Sequence, residues 1–388
     1  MPVPRLTTSL DTLYGIGTPE SLMACLNAFQ EAFKEEMGYL SQTKEDKLLE
    51  AVISGEKTIS PELYGLWNRS LRKAVEAVPM DNTGLQAQWL ANVSRFAAYK
   101  ALHATRHIRR EVAEDGDLDA GKKVLHAYKR YQAAECSTAT ARARTGKQWA
   151  QFSQEDNRRL FPNLRWLPSR SATPREEHIP FYNRVWPKDD PFWQRNQPGN
   201  LWNCKCDWEE TDDPPTDGNP DTEIRKEGLE GNPAETGEIF TDNAAYIRHA
   251  PEGAEMLALN ATRKDNLSWA LENLKGTKVE NSEFGKPISF TSAGIRDYIN
   301  QPIGNPFLKN ELIRNMPELL ENANYMGYSD YKSSETLRHS HIFEITVSGR
   351  KYWIIVHEYA NNDISFYSIT DNPLVLKDIK KRNTRPLE

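Results

Sequence analysis

Residues 163–208 read NLRWLPSRSATPREEHIPFYNRVWPKDDPFWQRNQPGNLWNCKCDW. The stretch holds five of the ten tryptophans (Trp166, Trp186, Trp193, Trp202 and Trp208), a lone His178 and a Cys204-x-Cys206 pair. Its prolines rule out a long helix, because each fixes φ and removes a backbone donor. Its aromatics are too many for a solvated linker, since disordered segments are poor in them. The composition predicts a compact, loop-rich structure held by aromatic packing. The tryptophans read as core rather than as a ligand surface.

Upstream, residues 19–151 are mostly helical in pattern. Apolar residues recur three and four apart in SLMACLNAFQEAFKEEM and in LYGLWNRSLRKAVEAV. Ser60-Pro61-Glu62 places a capping residue before a first-turn proline. Two long helices follow, over GLQAQWLANVSRFAAYKALHATRHIRREVA and AGKKVLHAYKRYQAAECSTATARARTGKQWAQF, separated at EDGDLDAG. Cys25 and Cys136 sit in these helical patterns as small buried thiols. His103, His107 and His126 suggest a metal site, the first two lying four apart on one helical face, but without the glutamate of an HExxH pattern they read as a basic solvated face.

Downstream, TDDPPTDGNPDTEIRKEGLEGNPAETGE is dense in Pro, Gly and acidic residues and reads as a linker or extended connection. A helical stretch follows at EGAEMLALNATRKDNLSWALENL. Then FGKPISFTSAGIRDYINQP leads into one helix near NPFLKNELIRNMPELLENA. Three strands close the chain: HIFEITVSG, RKYWIIVHEYA and DISFYSITD. Ser348-Gly349 and Asn361-Asn362-Asp363 supply the turns between them.

The expected fold is therefore a mainly α N-terminal region with a loop-rich Trp/Cys segment, followed by a small α+β domain with an antiparallel sheet. The expected organisation is a helical region over 1–160, the Trp-rich segment over 161–215, a linker and connecting helix over 216–270, and the α+β domain over 271–388. At 388 residues, two or three domains are the prior. The net charge of -6 argues against wholesale nucleic-acid coating but allows a local basic cleft. No apolar run approaches the roughly 20 residues that span a bilayer, and the N-terminal MPVPRLTTSLDTLYG lacks a signal-peptide core. Cytoplasmic synthesis and no membrane partner are expected. No P-loop, dinucleotide fingerprint, HExxH or GxSxG is present, which leaves ATPase, dehydrogenase, metalloprotease and hydrolase readings without support.

Across about residues 60–215, the elements NLRWLPSR, EEH, DDPFW and NLWNCKCDW resemble the phage Mu F-like head-morphogenesis family of minor head proteins. The corresponding features are the helix with Arg142 and Arg144, Leu164-Arg165-Trp166, His178 and Asn203-Cys204-Lys205-Cys206. Members often carry an Asp before the Arg–His stretch; this chain has Ser169-Arg170-Ser171. The resemblance implies a minor capsid component near the portal vertex, with portal and capsid proteins as partners. It also implies residence in the virion, after assembly in the host bacterial cytoplasm.

Two thiolates one residue apart and a distant imidazole supply three of the four ligands of a structural zinc. Cys204, Cys206 and His178 are therefore candidate metal ligands; two buried cysteines in an aromatic cluster are the alternative. A disulfide within Cys-x-Cys would close a strained ring, and the cytoplasm is reducing.

Residues 275–375 resemble the phage-carried nuclease domains grouped with barnase, EndoU, colicin and RelE. The resemblance rests on Gly294-Ile295-Arg296-Asp297, the following helix and the strand order. It implies an RNA-binding sheet face and a toxin-like ribonuclease, with an immunity protein as a further partner. No cofactor is expected for catalysis. Metal-free RNA cleavage needs a base for the 2′-hydroxyl, an acid for the leaving oxygen and cations for the phosphate. His341, at a strand start, is the first candidate, because histidine titrates near neutral pH; an edge-strand polar residue is the alternative. His339 shares its parity and competes. His357 inside WIIVHEY reads as a sheet-face histidine. Arg296 and Lys286 suit phosphate, and Lys309 does so more weakly, as an ordinary solvated lysine. Tyr367 and Ser368 offer hydroxyls but point to opposite faces, so at most one serves. The reading is a phage or prophage minor head protein with a C-terminal ribonuclease-like domain. The alternatives are a purely structural virion protein with a non-catalytic binding module, and a free intracellular toxin.

Overall fold

The computed structural model describes residues 42–218, 220, 227–301, 303–330 and 336–380. The helix expected over 21–37, with Cys25, lies outside them. The chain divides into two compact units. One comprises residues 42–79 and 96–251, the other residues 80–95 and 252–380.

The first unit is helical. Helix α1 is Gln42–Ser54, α2 is Pro61–Glu76, α3 is Thr83–Asp115 and α4 is Leu118–Phe152; α3 gives its residues from Phe96 onward to this unit. The α2 start follows the expected chemistry: the Ser60 hydroxyl accepts from the Leu63 N–H, and Pro61 occupies the first turn. Leu63, Leu66, Trp67, Leu71, Ala74 and Val75 then form one buried stripe. Gly116, in the left-handed region, and Asp117, which caps α4 through the Asp119 N–H, make the break between the long helices. Lys100 and Glu135 form a buried ion pair at 2.5 Å between α3 and α4, with the Lys100 ammonium over the Trp67 ring. The expected solvated histidine face is only partly so. His103 is half-buried and its Nε2 lies 2.9 Å from the Tyr246 carbonyl oxygen, while His126 pairs with Glu45.

The Trp-rich segment folds as expected, around a small sheet. Strand β1 (Asn163–Leu167) lies between β2 (Val185–Pro187) and β3 (Asp207–Thr211), antiparallel to both. The register sets Trp166 opposite Trp208 and Leu164 opposite Trp186. Trp166, Trp186, Trp193 and Trp208 join Phe181, Phe192 and Phe152 of α4 in one core. Trp202 packs elsewhere, stacked on Phe240. Polar contacts tie the segment to α4: Asn203 N–H donates to the Thr138 hydroxyl at 2.8 Å, and the Trp208 indole donates to Gln148 at 3.1 Å.

The stretch expected to be a linker is packed where it is described. Leu229, Ile239, Phe240 and Ala244 are fully buried. The reason is Arg142. Its guanidinium, itself buried, donates to the carbonyls of Leu229, Glu230, Gly231, Glu238 and Ile239 and to the Asn200 side chain. One side chain thus satisfies a row of loop acceptors that would otherwise need water. Composition alone cannot foresee such a partner.

The second unit is a six-stranded sheet covered by helices. Its strands are β4 (Lys278–Glu280), β5 (Pro287–Ser289), β6 (Asn324–Asp330), β7 (Leu337–Val347), β8 (Arg350–Tyr359) and β9 (Ile364–Thr370), in the order β4-β5-β9-β8-β7-β6. All pairs are antiparallel except β5 with β9. The expected three-strand meander is β7–β9. Ser348 and Gly349, both at positive φ, make the tight β7–β8 turn. Strands β4 to β6 were not legible: two are three residues long, and β6 is broken by glycine.

The helices are α5 (Ala254–Asn273), α6 (Ser292–Asn300), α7 (Pro306–Leu312) and α8 (Met316–Glu321). The single helix expected over 305–323 is interrupted by a 3-10 turn at Ile313–Asn315. Pro317 has no N–H for a continuous α-helical ladder, so α8 starts afresh with that proline in its first turn. Phe284, Ile288, Ile295, Tyr298, Leu308, Met316, Phe343, Ile354, Val356 and Phe366 are among the residues of the shared core.

Candidate functional site

The site is built at one end of the second unit's sheet. Asn281 is 1% exposed; its amide donates to the Leu320 and Ala323 carbonyls, at 2.9 and 2.7 Å. Its side-chain oxygen accepts from the Glu283 and Phe284 N–H groups, closing a local turn. That turn brings the Phe284 ring to 4.7 Å from the His341 ring and sets Lys286 beside Glu358.

Strand β6 supplies the other wall. Its pairing with β7 shifts between Tyr325 and Gly327, and Gly327 has φ +129°. Three residues apart on a regular strand, Tyr325 and Tyr328 would face opposite ways. The bulge cancels that alternation, and both rings lie 5.9 Å from the His341 ring. A Cβ at Gly327 would strike the Lys380 carbonyl, so the bulge needs glycine there.

His341 is 5% exposed and engaged at both nitrogens: Nε2 lies 2.7 Å from Glu358 Oε2, and Nδ1 lies 2.8 Å from the Tyr325 hydroxyl. Glu358 Oε1 in turn accepts from the Lys286 ammonium at 3.0 Å. The result is a continuous chain, Lys286–Glu358–His341–Tyr325. Burial pushes the His341 pKa down, and the Glu358 contact opposes this without reversing it. Burial pushes the Glu358 carboxyl up, but hydrogen bonds from His341 and Lys286 outweigh it and leave the carboxyl below its usual value. Both directions describe a neutral imidazole beside an ionised carboxylate. Nε2 then carries the proton toward Glu358, and Nδ1 is left to accept the Tyr325 O–H.

His341 therefore does not stand open at a strand start, as the sequence suggested. His339 sits nearby, its ring 6.1 Å from that of His341, with Nδ1 2.9 Å from Asp330. Lys286 joins the cluster by the contact above. Arg296 is exposed on α6, and the contacts that build the cluster do not involve it.

Lys309 does not fit the solvated substrate-binding role expected of it. It is 2% exposed, and its ammonium donates to the Tyr298 and Gln301 carbonyls, over the Tyr298 ring. Burial lowers its pKa to about 7. It closes the end of α6 instead. Ser368 is fully buried and donates to the Gln301 side chain at 2.8 Å, so its hydroxyl is spoken for by the same helix end. Tyr367 stacks on His357 at 3.9 Å, away from the His341 cluster. Burial lowers the His357 pKa to about 4.

Sequence reasoning missed Glu358 and Tyr325. Glu358 did leave a trace: it shares strand parity with the core residues Ile354 and Val356, an unusual place for a carboxylate. Tyr325 left none, because the bulge that aims it is tertiary.

The first unit holds a second cluster. His178, Cys204 and Cys206 are buried, with their ligand atoms within 4.8 Å of one another. His178 Nδ1 lies 3.0 Å from Cys206 Sγ and 3.9 Å from Cys204 Sγ. Tetrahedral zinc bonded to sulfur and nitrogen at its usual distances sets such atoms about 3.5 Å apart. The two nitrogen–sulfur spacings straddle that value, and the three side chains form a group that could hold a metal ion. The hydrogen bond between the two sulfurs holds the Cys204 thiol well below the usual range and raises that of Cys206, which burial raises further. Among the described residues this is the one group of three or more such donors that could hold a metal ion.

Comparison with known proteins gives two partial matches. Residues 258–367 match the family of large polyvalent protein-associated domain 3. The putative capsid assembly protein F of Escherichia phage Mu is 38% identical over 47 residues, 12% of this chain and 11% of that protein. The match thus spans about a ninth of that relative's length. No solved structure matches. No helix among the described residues is long and apolar enough to cross a membrane.

Proposed function

We propose that this chain is a minor head protein of a tailed phage or prophage whose C-terminal unit cleaves RNA without a metal ion. The first half of the reading is supported by the similarity to a phage capsid assembly protein. Its partners are portal and capsid proteins, and it resides in the virion after assembly in the host cytoplasm. Zinc held by His178, Cys204 and Cys206 braces the loop-rich segment, whose few secondary-structure hydrogen bonds leave aromatic packing to hold it.

The second half is carried by one observation. His341 is aligned by a carboxylate on one nitrogen and a tyrosine hydroxyl on the other, with a lysine at the far end of the chain. The chain's own residues thereby supply a proton acceptor, a proton donor and a cation for phosphate. An immunity partner would protect the host RNA. Expression of the full chain in bacteria should arrest growth and fragment total RNA, and His341→Ala should relieve both. Intact RNA and normal growth with the wild-type chain would sink the ribonuclease reading.

The burial of His341 favours a second reading, in which the C-terminal unit is a non-catalytic binding module and the cluster is structural. The same experiment separates the two.

A further inference from the structure

The chain Lys286–Glu358–His341–Tyr325 has buried middle members and accessible ends. The side chains of His341 and Glu358 are 6% and 10% exposed, that of Lys286 is 47% exposed, and Tyr325 is partly exposed. The ends are thus more open to solvent than the middle. Each link is a hydrogen bond of 2.7 to 3.0 Å, within the range for proton transfer. Tyr328 and His339 lie against the His341 ring and against each other, aromatic and imidazole faces of the kind on which bases stack.

We propose that Tyr325 and Lys286 are the catalytic residues that touch RNA, as base and acid, and that Glu358 and His341 are positioning residues that carry the proton between them. This rests on the RNA-cleaving reading above. The 2′-hydroxyl gives its proton to the Tyr325 oxygen as Tyr325 passes its own to His341 Nδ1. The 2′-oxygen then bonds to phosphorus, and the bond from phosphorus to the 5′-oxygen breaks. The leaving 5′-oxygen takes a proton from the Lys286 ammonium. The His341 Nε2 proton crosses Glu358 to restore Lys286, and exchange with solvent water returns His341 to its starting tautomer. One proton has moved from the 2′- to the 5′-oxygen, and the products are a 2′,3′-cyclic phosphate and a 5′-hydroxyl.

The test uses the full-length protein and a labelled single-stranded RNA. A second RNA carries sulfur in place of the 5′-oxygen at each linkage cut. Tyr325→Phe and Lys286→Met should each slow cleavage of ordinary RNA by about 100-fold or more. A thiolate leaves without a proton, so the sulfur substrate should restore Lys286→Met to near the wild-type rate and leave Tyr325→Phe slow. As a probe that spares the fold, 3-fluorotyrosine at 325 should move the pH–rate profile toward lower pH, following the more acidic phenol. Full activity in Tyr325→Phe, failure of sulfur to rescue Lys286→Met, or an unmoved profile would each overturn the relay while leaving RNA cleavage standing. A wild-type protein that cuts neither RNA overturns the ribonuclease reading, and the relay with it.

Discussion

His341 Nε2 and Glu358 Oε2 lie 2.7 Å apart across the β7–β8 pair, both side chains nearly sealed from water. Burial lowers the His341 pKa and the Glu358 contact raises it. Glu358→Gln removes the raising contribution alone, so the imidazole should titrate at still lower pH. Titration of the His341 ring protons by NMR measures this, and a raised value in the variant would contradict the assigned pairing.

His357 should make the second unit acid-sensitive. Its folded pKa of about 4 lies below the ordinary histidine value, so between the two the unfolded chain binds more protons. Stability is then complete above about pH 6.5 and falls with pH down to about 4, where the penalty is full. Discounted for its partial exposure to solvent, the penalty is about 1–2 kcal/mol. Thermal melts of His357→Phe should show a shallower loss over this window; an unchanged slope would place the acid sensitivity elsewhere.

Arg142→Ala should cost at least about 3 kcal/mol, because it strands several buried carbonyls at once. Burial already lowers the Arg142 pKa to about 10, which leaves it charged at neutral pH. Lysine should not rescue the loss, since one ammonium with three donors cannot replace a planar fork that serves six acceptors. Hydrogen exchange should report the loosening first in residues 227–241, and protection preserved there would refute the account.

The zinc proposal predicts about one equivalent of metal in purified protein by elemental analysis. Cys204→Ser with Cys206→Ser should lose it, and a chelator should lower the melting temperature of the wild-type protein. Metal-free wild-type protein, or metal retained by the double variant, ends the proposal.

Gly294→Ala should destabilise the second unit by about 1–3 kcal/mol or more, through overpacking. A Cβ at Gly294 would run into the Phe366 carbonyl, because α6 packs directly on β9 at that point. Denaturant melts measure the change, and a neutral result would mean that helix and strand can separate at little cost.

Much of this was legible beforehand. The cap at Ser60, the break near Gly116, the three C-terminal strands and the turn at Ser348-Gly349 follow from local chemistry, and the structure bears them out. His341, His339 and Lys286 were singled out by residue type and do come together. Lys309 was misjudged because nothing local distinguishes a solvated lysine from one that closes a helix end. The packed stretch after residue 227 was missed for the same kind of reason: its partner, Arg142, lies 87 positions away from Leu229.

The sequence by itself determined where the long helices, the β7–β9 meander and the aromatic core would form, because periodicity, capping and turn chemistry act over a few residues. Only the tertiary structure decided which polar groups meet. The β6 bulge at Gly327 turns Tyr325 toward His341, and strand pairing sets Glu358 against its other nitrogen. Such meetings depend on register and on close approach between distant segments, and one residue of slip would reverse them.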